Sequence, residues 1–88
     1  MAEKENKIGV IFVINGQDFP VEVNIHAPLM EAVQRALAVS GNTGRPPDEW
    51  EVRDASGVLL EKNRTPKDLG LHNGARLFLS LRVGAGGV

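Results

Sequence analysis

The chain has no cysteine and no tyrosine among its 88 residues, and aromatics make up only 5%. Without cysteine there is no disulfide scaffold, no thiol nucleophile and no thiolate metal site. Such a chain cannot itself carry a thioester, although it can be the acyl cargo of one. No sign of charge prevails: ten Lys and Arg stand against eleven Asp and Glu. The basic residues are scattered, so neither nucleic acid nor an anionic membrane surface is an expected partner. Long apolar runs are also lacking. The polar start, Met1 to Lys7, precedes only a short apolar strand, which makes neither a signal peptide nor a membrane span. The absence of cysteine fits a reducing compartment, and the chain reads as cytoplasmic.

What is present suits one small domain. A domain of this length buries roughly 60% of its unfolded surface, enough for a single core. Residues 1–6 read as a flexible lead-in. Ile8 to Ile14 is rich in β-branched residues and reads as a strand. Asn15-Gly16 follows, the pair that best tolerates the positive φ of a tight primed turn. A second strand runs from about Asp18 to Ile25. A two-residue turn sets Phe12 opposite Phe19, Val10 opposite Val21 and Ile8 opposite Val23, all on one core-facing side. Pro20 lacks a backbone N–H, so the second strand belongs at a sheet edge.

Pro28 suits the first turn of a helix. Met30, Val33 and Leu37 recur at helical spacing with Ala36 beside them, while Glu31, Gln34 and Arg35 face solvent. Ser40-Gly41-Asn42 ends that helix. Trp50 and Val52 point inward from a short third strand, Val58 to Leu60 makes a brief fourth, and Thr65-Pro66-Lys67-Asp68 starts one capped helical turn. The last strand runs from Ala75 to Val83 with Leu77, Leu79 and Leu81 inward, and it lies beside the first. The expected fold is α+β: a mixed sheet of four to five strands packed on one main helix. The domain spans 7–83, and 84–88 is a flexible tail.

Enzyme-like signals are weak. His26 and His72 lie far apart without clustered carboxylates, so no metal site is expected. Asp48 and Glu49 read as solvated loop acids rather than an acid–base pair. No phosphate loop, dinucleotide motif or nucleophile elbow occurs. The chain reads as a non-enzyme that binds no cofactor. One surface feature stands out. Ile11 and Val13 face away from the core, and Phe78 falls beside them, which suggests a partner or self-association surface. Scattered surface apolars, or cover by the tail, are the alternatives.

Several segments, taken in order, resemble ubiquitin and its relatives. Pro46-Pro47-Asp48 resembles the family's exit from its helix. Leu60-Glu61-Lys62-Asn63-Arg64-Thr65 resembles its Leu-Glu-Asp-Gly-Arg-Thr turn, and Asp68 falls where the Thr-to-Asp cap closes. Leu77 to Arg82 is similar to the last strand, and Gly86-Gly87 to the double-glycine tail. The resemblance covers about Lys7 to Gly87 and implies a ubiquitin-like β-grasp fold. Departures are as informative. Arg53 stands where the family exposes an isoleucine, Ser80 where it has a valine, and Leu69 where it has a tyrosine. The usual recognition patch is thus largely lost. The four lysines, Lys4, Lys7, Lys62 and Lys67, do not fall on the family's main chain-linking sites. The pattern is more similar to ubiquitin-like proteins of bacterial operons that also encode activating, conjugating and peptidase partners.

The resemblance implies a protein modifier. An activating enzyme would use ATP to adenylate a C-terminal glycine, pass the acyl group to a cysteine, and hand it to a conjugating enzyme and then to target proteins. Glycine suits that chemistry because it has no Cβ, so it threads a narrow channel and leaves its carbonyl open. Gly86 and Gly87 are the implied conjugation residues, and Arg82 matches the arginine by which activating enzymes choose their modifier. Val88 would first be removed after Gly87 by a deubiquitinase-like, zinc-dependent peptidase. Arg53 joins Ile11, Val13 and Phe78 as the candidate partner surface, with a homo-oligomer as one outcome. Two alternatives stay open: a β-grasp sulfur carrier with a C-terminal thiocarboxylate, and a non-covalent interaction module.

Overall fold

The computed structural model describes residues 6–82. Strand β1 (Lys7–Ile14) and strand β2 (Gln17–Asn24) form the expected hairpin. Asn15 and Gly16 both have positive φ, 54° and 80°, as a primed two-residue turn requires. That turn fixes the register: Phe12 faces Phe19, Val10 faces Val21 and Ile8 faces Val23.

Helix α1 (Leu29–Val39) is built from good helix formers without Gly or Pro. Pro28 is its N-cap with an extended ψ of 142°, one position before the expected first turn. A proline at that position offers no side-chain oxygen, so the first donors are satisfied from elsewhere. Leu29 N–H donates to Arg64 O at 2.8 Å, and Met30 N–H to Lys62 O at 2.9 Å. The other end is closed by Gly41 at φ 77°. There Gly41 N–H donates to Ala38 O and Asn42 N–H to Leu37 O, the paired closure of a Schellman motif.

A 3-10 turn (Pro47–Glu49) leads into β3 (Trp50–Arg53), followed by β4 (Leu59–Leu60) and β5 (Ala75–Leu81). The strand order is β2-β1-β5-β3-β4, with β1 and β5 parallel at the centre and every other pair antiparallel. Pro20 therefore lies on an edge strand, where its missing N–H breaks no ladder. The segment at Thr65 makes a single turn, capped as expected by Asp68 N–H donating to Thr65 Oγ1 at 3.0 Å.

The helix packs its Leu29, Ala32, Val33, Ala36 and Leu37 face on Val10, Phe12, Ile14, Val52, Leu77 and Leu79 of the sheet. Leu29 and Ala32 occupy the stripe expected for Met30, which is only half-buried. Leu29 and Ala32 precede Val33 and Ala36 by four residues each, so the packed stripe follows that row, while the Lys62 and Arg64 carbonyls cap the helix start. Leu81 is another departure: it alternates correctly but is 42% exposed, beyond Leu79, where β5 loses its β1 neighbour. Trp50 is core, as expected, at 6% exposed. No helix among the described residues is long and apolar enough to cross a membrane.

Candidate functional site

Strand β5 delivers the chain to its C-terminal segment. It runs in the interior of the sheet, paired with β1 as far as Leu79 and with β3 as far as Leu81, so its last residues are held from the β3 side. Arg82 N–H donates to Glu49 O at 2.7 Å, which extends the β3–β5 pairing one residue past Trp50 and Leu81. The backbone of Arg82 is thereby fixed while its side chain is exposed. Gly86, Gly87 and Val88, the expected conjugation and processing residues, lie outside the described residues.

Beside Arg82 is an open groove of about 550 Å³, bordered by Asp48, Trp50, Glu51, Leu59 and Lys62. Lys62 closes one wall. Its Nζ donates to Pro47 O at 2.8 Å and also to Trp50 O, so one side chain ties the loop after β4 to the start of β3. Its own carbonyl accepts from the first turn of α1. Burial pushes the Lys62 ammonium below its ordinary pKa, Arg82 pushes it further down, and Asp48 and Glu51 oppose both. A cation at Arg82 and a half-buried cation at Lys62 thus face the same groove, with the carboxylates of Asp48 and Glu51 also on its border.

The sheet face opposite the helix is the second region. Register places Val13 beside Phe78, Phe78 beside Arg53 and Arg53 beside Leu59. The structure therefore brings Val13, Phe78 and Arg53 into one row. Ile11 falls one row away, beside Arg76. Arg53 is held by Glu51 at 2.9 Å. Arg76 crosses β1 to Asp18, and Ile11 and Val13 are half-buried under that crossing rather than freely exposed. Phe78 remains 38% exposed.

Sequence reasoning missed four participants: Lys62, Asp18, Arg76 and Leu59. Asp18 and Arg76 were legible in principle, since the hairpin register and a parallel β1–β5 pair put both beside Val13 and Ile11. Lys62 carries no such signal, because its acceptors are backbone carbonyls twelve and fifteen residues away. Among the described residues, no three His, Cys, Asp or Glu side chains cluster to hold a metal ion.

A family model described as Protein of Unknown function (DUF2604) matches residues 3–87. An uncharacterized protein, y4jI, of Sinorhizobium fredii is 40% identical over 81 residues, 92% of this chain. The chain spans 62% of that relative's length. Among solved structures, a de novo design based on ubiquitin aligns with a TM-score of 0.77 at 20% identity, over 94% of this chain and 98% of the design. Caldiarchaeum subterraneum ubiquitin aligns at 0.71 and 22% identity, over 86% of this chain and 94% of its own. A ubiquitin-like domain of an Arabidopsis thaliana protein aligns at 0.71 and 18% identity, over 88% of this chain and 79% of that one. The fold is the ubiquitin-like β-grasp, with a mixed five-stranded sheet on one helix.

Proposed function

The chain belongs to the family described as Protein of Unknown function (DUF2604), and we propose that it is a ubiquitin-like modifier joined to its targets through Gly87. The observation that carries this reading is the exit of the chain from the fold. A central strand ends at an exposed arginine whose backbone is anchored to Glu49, and a double glycine follows four residues later. Five residues from Arg82 to Gly87 span at most about 18 Å, enough to enter a deep active site while the body docks outside.

In this reading the chain is a substrate of enzymes and not an enzyme. A peptidase hydrolyses the Gly87–Val88 bond and exposes the glycine carboxylate. That carboxylate attacks the α-phosphate of ATP on the activating enzyme and releases pyrophosphate. An enzyme thiolate then displaces AMP, and a target amine or hydroxyl displaces the thiol. The chain binds no cofactor of its own. Arg82, on the lip of the groove, contacts the activating enzyme, and the row of Val13, Phe78 and Arg53 lies on the adjoining face. In this reading the partner enzymes use ATP, which suits a reaction in the cytoplasm.

The test is to co-express the chain with the genes that neighbour its own and to digest the products. The reading expects peptides in which Gly87 is joined to another residue and Val88 is gone. Conjugates that retain Val88 would remove the processing step. A Gly87 carboxylate in which sulfur has replaced oxygen would instead identify a sulfur carrier. Biological activity that survives deletion of Gly86 to Val88 would leave only a non-covalent module.

A further inference from the structure

We propose that the chain pairs with a second copy of itself through the edge of β4, with Leu59 at the two-fold axis. This inference is independent of conjugation and does not involve Gly87.

The two edges of the sheet are built differently. In a two-residue hairpin the residues flanking the turn, Ile14 and Gln17, bond to each other. Alternation then turns the backbone groups of Asp18, Pro20 and Glu22 outward. Pro20 has no N–H to offer, and Glu22 O already accepts from Arg35 Nη1 at 2.5 Å. The β2 edge is therefore blunted in the way natural sheets protect themselves.

The β4 edge has no such protection. Asp54 N–H donates to Val58 O at 3.0 Å, so alternation makes Val52 and Leu60 the next bonded pair. The N–H and C=O of Leu59 then face outward. Among the described residues, β4 pairs with β3 alone. The turn before it is rigid: Asp54 Oδ1 accepts from Ser56 N–H at 2.9 Å and from Val58 N–H at 3.0 Å. That turn holds Val58 and Leu59 at 55% and 53% exposed beside the open edge. Two large apolar side chains on a preorganised turn at an unpaired edge make a template for another strand.

The edge complements itself. Antiparallel pairing with Leu59 opposite its copy gives two backbone hydrogen bonds. It sets Val58 opposite the copy's Leu60, in both directions, so apolar meets apolar. Glu61 then meets Gly57 of the copy, so no like charges oppose each other along the edge. The two Arg53 guanidiniums stand three strand spacings apart, about 14 Å. That exceeds the roughly 8 Å screening length at physiological salt, and each is already paired with its own Glu51. The result is a continuous ten-stranded sheet with closed two-fold symmetry.

Sedimentation velocity of the full chain, from micromolar to millimolar concentration, tests this. The mass should rise from the 9.5 kDa of one chain toward twice that value and stop there. Leu59→Lys puts two ammonium groups at the axis and should hold the mass at one chain, with an unchanged melting midpoint because the site is exposed. Val58→Lys is the second variant and should do the same. Phe78→Glu, in the same row but off the edge, should still pair. A wild-type mass of one chain throughout overturns the proposal, as does growth beyond two chains. So does a dimer that survives both lysine variants, or one lost in Phe78→Glu.

Discussion

Arg76 on β5 and Asp18 on β2 are not neighbours in the sheet, yet they meet: β1 lies between them and the guanidinium crosses it. Nη2 contacts Oδ1 at 3.0 Å and Nη1 contacts Oδ2 at 3.1 Å. Register explains the reach, since Asp18 pairs with Val13 and Arg76 with Ile11. The bridge passes between those two apolar side chains and covers both in part. Its fork geometry is good, but both partners are about half exposed. A double-mutant cycle with Asp18→Ala and Arg76→Ala should therefore give a coupling below about 1 kcal/mol. The coupling should fall further in high salt. A coupling that is large and insensitive to salt would mean the crossing is a structural clamp rather than a surface strap.

Lys62 should behave differently, because its acceptors are backbone carbonyls and its ammonium is partly desolvated. Lys62→Met removes two hydrogen bonds and should cost on the order of 1 kcal/mol in urea unfolding. The pH dependence has a definite sign. Burial lowers the folded-state pKa of Lys62 below the ordinary 10.5. Between the two values the unfolded chain binds more protons, so stability from this group rises with pH across that alkaline window. Below the lowered pKa the ammonium form is held in both states and the slope vanishes. The wild type should show this alkaline rise relative to Lys62→Met. A difference between the two proteins that stays flat up to pH 10.5 would contradict the assigned cause.

The fold was legible where local chemistry and global topology agree. Asn15-Gly16 dictates a primed turn, the turn dictates register, and register dictates that Val10, Phe12, Val21 and Val23 share the core. Pro20 marked its own strand as an edge. The misplaced residues are those whose environment is made by distant segments. Leu29 and Met30 precede Val33 by four and three residues, so spacing allows either into the stripe although they sit about 100° apart; the packed face takes Leu29. Leu81 alternates inward, but nothing on α1 reaches it. At the candidate site, Val13, Phe78 and Arg53 were legible as one surface because strand alternation is strict. The Arg76 crossing is harder to read: register sets Arg76 and Asp18 on either side of β1, but their meeting depends on side chains from two strands that never pair.

Trp50 carries the one buried side-chain nitrogen without a partner among the described residues, its Nε1. Such an orphaned donor costs roughly 1–3 kcal/mol relative to a satisfied one. Trp50→Phe removes the donor and also part of the ring's packing, and these two effects oppose each other. The expected net change is within about 1 kcal/mol of wild type, while Trp50→Ala, which removes the donor as well but opens a large cavity, should cost about 3–5 kcal/mol. Circular dichroism is the appropriate probe, because Trp50 is the sole tryptophan. A loss in Trp50→Phe close to that of Trp50→Ala would mean that the Nε1 proton has a partner in solution.

Phe78→Glu and Arg82→Glu separate the face from the tail. Phe78 is 38% exposed, so replacing it forfeits little burial. A carboxylate there sits beside Arg53 across the strand and two residues from Arg76 along it, an environment that accepts negative charge. Arg82 is held through its backbone, so its side chain can be exchanged without unpinning β5. Both variants should therefore unfold within about 1 kcal/mol of wild type. Their effects on the proposed adenylation should differ. Arg82→Glu reverses the charge at the base of the tail and should abolish selection by the activating enzyme. Phe78→Glu should weaken binding of that enzyme's docking surface without changing the chemistry once the complex is saturated. Adenylation-dependent release of pyrophosphate, measured against activating-enzyme concentration, distinguishes the two. Equal wild-type rates for both variants would detach Arg82 and the outer face from activation altogether.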